Sequence, residues 1–105
     1  MKRTFTILVA DKNKNVRDFL QRELAAEGYE VVVARDGGRI LAEIDRENGP
    51  DLLVFDLEMP DTDSTKIFEK AQNCRHITII VILYWGALHG RLSGFLRKLL
   101  ARYHT

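Results

Sequence analysis

The 105-residue chain has a single cysteine, two prolines, and no acidic residue after Glu69. Cys74 has no partner for an internal disulfide. With only scattered histidines (His76, His89 and His104), neither a cysteine cluster nor a histidine set of metal-binding spacing can be assembled. Pro50 and Pro60 leave long stretches free to form regular elements, and both stand where an element would end. No hydrophobic run reaches membrane-spanning length: 5–10 and 77–85 are the longest candidates, and both are far too short. Neither a secretory leader nor a membrane anchor is expected, and a reducing cytoplasm is the expected setting. A glycine-rich nucleotide fingerprint is missing, and Asp11-Lys-Asn-Lys-Asn15 is not the Ser/Thr/Gly-rich phosphate loop a flavodoxin would need. The formal net charge of +1 is too small for broad nucleic-acid binding. The charge that exists is uneven, with Arg91, Arg97, Lys98 and Arg102 gathered near the end.

The chain has the size of one domain and an ordinary mixture, 46% hydrophobic and 30% charged, which suffices for a core without covalent staples. Apolar runs alternate with helical periodicity. Residues 5–10 read as a buried strand. Val16, Phe19, Leu20 and Leu24 are spaced as one face of a helix over 13–27. Asn13 or Asn15 is placed to cap its start, and Gly28 suits a left-handed residue after its end. Residues 29–34 are rich in β-branched side chains and read as a second strand. A turn is expected at Asp36-Gly37, then a helix marked by Ile40, Leu41 and Ile44 that stops by Asn48-Gly-Pro50. A third strand spans 51–55, a helix 64–72, and a fourth strand 77–83. Strands separated by helices imply βαβ units and a parallel sheet with right-handed crossovers.

The segment after the fourth strand admits two readings. Leu88, Leu92, Phe95, Leu96, Leu99, Leu100 and Tyr103 keep helical steps and mark an amphipathic helix, in which Gly90 and Gly94 each cost about 1 kcal/mol. The alternative makes 94–97 a short fifth strand. The helical reading predicts a homodimer in which this segment, through Leu92 and Leu99, packs on a second subunit and covers the apolar fourth strand.

Asp56 follows the apolar run Leu52–Phe55 and precedes Pro60, so it emerges at the carboxyl end of a strand, where open α/β sheets keep their ligand crevice. Asp11 ends the first strand in the same way. The stretches ILVADKNKNVRDFLQRELAAEGYEVVVARDGG and PDLLVFDLEMPDTDS, in this order and spacing, resemble the receiver domain of two-component response regulators from Phe5 to about Leu83. The resemblance implies one flavodoxin-like, CheY-like doubly wound domain over 1–105, with strand order 2-1-3-4 and a fifth strand that is short or replaced by the C-terminal helix. The chain is expected to be a stand-alone receiver, truncated after the fourth strand, and not an independent enzyme. It also implies Asp56 as phosphoacceptor, an acidic pocket with Asp11, and magnesium between them.

The family's pattern is incomplete here. Its second acid, a direct metal ligand, is Lys12. Magnesium wants oxygen ligands, so a metal held by Asp11 and Asp56 alone is expected to bind weakly or not at all. Lys12 is either a solvated loop lysine or an internal counter-ion that replaces the metal. The short hydroxyl residue expected after the fourth strand falls at Leu83, Tyr84 or Trp85. The phosphate-contacting lysine is at best Lys98, and the glycine after Met-Pro-x-x-Asp is Ser64. The implied partners are a histidine kinase or phosphotransfer protein and an output protein, with Tyr84 and Trp85 as contact candidates and no direct nucleic-acid or membrane contact. A phosphorylation-independent pseudo-receiver is the alternative. A haloacid-dehalogenase-like phosphatase, suggested by VFDLEMP, lacks room for its remaining motifs.

Overall fold

The computed structural model describes residues 5–59, 62–74 and 77–82, the last five of these through their backbone alone. The element order is β1 (Thr6–Ala10), α1 (Lys14–Ala26), β2 (Glu30–Ala34), α2 (Gly37–Ile44), β3 (Leu52–Asp56), α3 (Ser64–Gln72) and β4 (Thr78–Ile82). All strand pairs are parallel, and the order across the sheet is β2-β1-β3-β4. This is the expected α/β sheet as far as Ile82. The fifth strand and the C-terminal helix weighed above lie outside the described residues.

Side chains alternate along β1, β2 and β3, and both faces of these strands are covered. Ile7, Val9, Leu52 and Val54 point to one side, where Val16, Leu20 and Leu24 of α1 close over them. Leu8, Ala10, Leu53 and Phe55 point to the other, against Ile40 and Ile44 of α2 and Ile67 and Ala71 of α3. Phe55 is fully buried and meets Phe68 edge to face, with ring centroids 5.7 Å apart.

The helices begin and end on local chemistry. Asn13 is the N-cap of α1, its side chain accepting from the N–H of Asn15 at 2.8 Å and of Val16 at 3.4 Å. Past its C-cap Glu27, Gly28 adopts φ 96°. Its N–H donates to Ala25 O, and that of Tyr29 donates to Leu24 O. This is a Schellman ending, with Tyr29 and Leu24 in the same apolar cluster. The turn expected at Asp36-Gly37 is a helix start instead. Asp36 caps α2 by accepting from Arg39 N–H at 2.9 Å, and Gly37 is the first helical residue. A side chain at Gly37 would press on Thr62, whose Cγ2 would stand 3.1 Å from the added Cβ. Asp63 caps α3, which spans the residues expected.

At the amino end of the sheet Asp51 clamps β3 to β1. Its carboxylate accepts from Thr6 N–H, and its own N–H donates to Thr6 O, both at 2.8 Å. This fixes the register Ala10↔Phe55, so Asp11 and Asp56 stand level at the other end.

Candidate functional site

Two carboxylates converge at the carboxyl edge of the sheet. Asp11 follows β1 and Asp56 ends β3, on adjacent strands whose spacing is about 4.8 Å. The alternation that sends Ile7 and Val9, and Leu52 and Val54, toward α1 assigns both acids to that same side. Asp11 is 4% exposed and Asp56 7%.

Each is held by the backbone that follows it. Asp11 Oδ1 accepts from Asn13 N–H at 2.8 Å, and Asp56 Oδ1 accepts from Glu58 N–H at 2.9 Å. Asp11 N–H donates to Ala34 O, and Arg17 Nη1 donates to Asp11 O at 2.7 Å, which pins the β1–α1 turn to α1. The two carboxyl groups are close enough to act on each other, and a proton or a cation between them would relieve their repulsion. Asp11 is pushed up to about 6, first by burial and also by the neighbouring charge of Asp56, against the lowering effect of Asn13 N–H and of Lys12.

Lys12 lies at the rim. Its side chain is half exposed, and its ammonium Nζ donates to Glu58 Oε2 at 3.4 Å and to Glu58 O at 3.5 Å. The structure therefore brings Asp11, Asp56 and Lys12 together at one end of the sheet, with Lys12 the most exposed. Lys98, Tyr84, Trp85, Leu92 and Leu99 lie outside the described residues. Glu58 belongs to the site as well, holding Asp56 through its N–H and Lys12 through its carboxylate. Its position two residues beyond Asp56 was a visible signal, but its pairing with a lysine 46 positions away was not. Among the described residues no three His, Cys, Asp or Glu side chains gather as a metal-binding group. No helix among them is long and apolar enough to cross a membrane.

A fold of this order with two level acids at its carboxyl edge defines a class, and comparison supplies the family. The family described as response regulator receiver domain matches residues 7–89, and the chain belongs to it. The chain is 32% identical over 94 residues to a probable transcriptional regulator ycf27 of Galdieria sulphuraria, a match covering 90% of this chain and 36% of that protein. It thus spans only about a third of the length of that curated relative. Among solved structures, a CheY-like response regulator receiver domain protein of Methanospirillum hungatei superposes with a TM-score of 0.71 at 27% identity, over 97% of this chain and 92% of that one. The response regulator TrrA of Thermotoga maritima, solved in complex with Mg(2+)-BeF, gives 0.68 at 29% identity, over 88% and 80%. TrrA solved in complex with the histidine kinase ThkA gives 0.66 at 27%, over 88% and 79%. This chain thus carries a response regulator receiver domain of the two-component signalling kind.

Proposed function

We propose that Asp56 is the phosphoacceptor of this receiver, and that Lys12 supplies much of the positive charge a metal ion would otherwise bring. The observation that carries the reading is the pairing of Asp56 with Asp11 at the strand end, with an ammonium at the pocket's mouth. A carboxylate oxygen of Asp56 attacks the phosphorus of a phosphohistidine. The P–O bond forms as the P–N bond breaks, and the departing imidazole takes up a proton. Glu58 N–H orients the attacking carboxylate through Oδ1. Lys12 stands near enough to lower the proton affinity of Asp11 and to face a phosphoryl group entering from the rim.

Magnesium, when bound, would add charge stabilisation on the phosphoryl oxygens. The donor set fits it poorly. It contains two carboxylates, each already accepting a backbone N–H, and the nearby Glu58 carbonyl oxygen faces the Lys12 ammonium at 3.5 Å instead. Water could complete an octahedron around two carboxylates, but the ammonium repels the ion and engages the Glu58 carbonyl oxygen. Magnesium binding is accordingly proposed to be weak.

A histidine kinase or phosphotransfer protein as donor is supported by the ThkA complex of the similar TrrA. A protein output partner, homodimerisation through the C-terminal stripe of Leu92 and Leu99, contact roles for Tyr84 and Trp85, a phosphate contact by Lys98, and a cytoplasmic setting are proposals on sequence grounds. A second reading, a pseudo-receiver that signals by binding alone, is favoured by the substitution of an ammonium for the family's second acid.

The two readings separate in one experiment. The chain is incubated with a small phosphodonor and with candidate kinases, and its intact mass is followed. The expected result is one acid-stable, base-labile phosphoryl group, absent in Asp56→Asn and nearly indifferent to magnesium. No labelling by any donor favours the pseudo-receiver and overturns the first reading.

A further inference from the structure

Glu58 touches both halves of the pocket. Its N–H donates to Asp56 Oδ1 at 2.9 Å, while its carboxylate and carbonyl oxygens hold Lys12 Nζ at 3.4 and 3.5 Å. These last two distances are at the long limit of hydrogen bonding. The two side chains are 48% and 66% exposed, so the pair is weakly held. Behind it lie Asp11 and Asp56, both buried at the ends of adjacent, level strands. Among the described residues no cation forms an ion pair with either. Lys12 directly follows Asp11, and its four-carbon stem lets the ammonium swing without moving the backbone. Outside, the ammonium keeps its water and one exposed carboxylate. Inside, it gives up water and gains two carboxylates that need a cation. The cost of desolvating the ammonium inside thus opposes its Coulombic gain there.

We propose that Lys12 is a tethered cation with two seats, Glu58 at the rim and the Asp11–Asp56 pair within, and that Glu58 is the positioning residue that selects between them. In the outer seat the ammonium is held back by Glu58 from the charge that develops as a phosphoryl group arrives. A phosphoryl group on Asp56 adds negative charge inside and draws the ammonium inward, away from Glu58. The phosphoryl-driven step rests on the reading of Asp56 as acceptor; the existence of the two seats does not.

Two measurements test this. The first follows the ε-13C resonance of Lys12 by NMR, assigned by its loss in Lys12→Met, at a pH where both acids are ionised. Glu58→Gln should shift it, and adding Asp56→Asn should shift it again, because the freed ammonium has moved onto the acids. A free-lysine shift in Glu58→Gln, indifferent to Asp56→Asn, overturns the inner seat. The second measures labelling by a small phosphodonor in the presence of EDTA. Glu58→Gln should accelerate it by a factor of about two to five, the population change from losing one exposed ion pair. That gain should vanish in a Lys12→Met background. An equal gain without Lys12 would mean that Glu58 acts through its own charge, and the positioning role fails. If the wild type labels with no donor, the phosphoacceptor reading fails, and the NMR result still decides the two seats.

Discussion

Strand β3 carries an aspartate immediately before it and another at its end, and the fold treats the two in opposite ways. Asp51 is satisfied by the backbone of a neighbouring strand, accepting from Thr6 N–H at 2.8 Å, and it sets the register. Asp56 is brought level with Asp11, 7% exposed, where two buried carboxyl groups face each other's charge. One end spends its acid on holding the sheet together. The other keeps its acid buried beside a second carboxyl group, a condition that costs stability. Buried like charges at one edge and backbone-paired charge at the other are what the separation of scaffold from site means in this chain.

The largest expected effect comes from removing what both ends share. Phe55→Ala empties a fully buried position between the two aspartates and should cost about 3–5 kcal/mol by chemical denaturation. A loss under about 1 kcal/mol would mean that the core does not support the site. Asp11→Asn should have the opposite sign. The folded protein holds the Asp11 proton more tightly than the unfolded chain, about 6 against 3.8. This group therefore favours folding most below the unfolded value, and the benefit is lost as pH rises through about 6. Above that, ionising Asp11 penalises the fold by up to about 3 kcal/mol. Asp11→Asn should thus be more stable than wild type at pH 7, and the difference should shrink between pH 6 and 4. A variant less stable than wild type at pH 7 would contradict the account of this edge.

Asp51→Ala should be destabilising at every pH above the carboxylate range, by about 1.5–3 kcal/mol, since it leaves Thr6 N–H without its charged acceptor. A neutral outcome would erase the contrast between the two ends. The smallest effect belongs to the exposed pair Lys14–Asp18 on α1, at 2.6 Å and one helical turn apart. Lys14→Ala should cost only about 0.3–0.5 kcal/mol. It should leave phosphodonor labelling unchanged, showing that a charge matters by its place at the pocket and not by the net count.

The Asp56 half of this contrast was legible in the residues. The apolar run Leu52–Phe55 and the acid after it placed Asp56 at a strand end, and helical spacing placed α3 on the span it occupies. Two local features were less legible. Asp36-Gly37 has the composition of a turn and also of a helix start, and Asp36 finding Arg39 N–H resolved it as a cap. Asp51 looked like the first residue of a strand, because a side-chain bond to a backbone N–H 45 residues earlier leaves no periodic trace. The place of Lys12 was legible only as a substitution. Its charge and its neighbour Asp11 are local, but its seat depends on Glu58, which the β1–β3 register delivers. The C-terminal segment of 83–105, where two readings competed, lies outside the described residues.

The central claim is that the ammonium of Lys12 stands in for a metal at the carboxyl end of β3. Calorimetric titration of magnesium into the wild type and into Lys12→Asp tests it most directly. The account predicts weak binding by the wild type. It predicts binding at least about tenfold tighter in Lys12→Asp, a difference of about 1.4 kcal/mol, because one change removes a repelling charge and supplies a carboxylate ligand. Tight magnesium binding by the wild type, unaltered in Lys12→Asp, would contradict it.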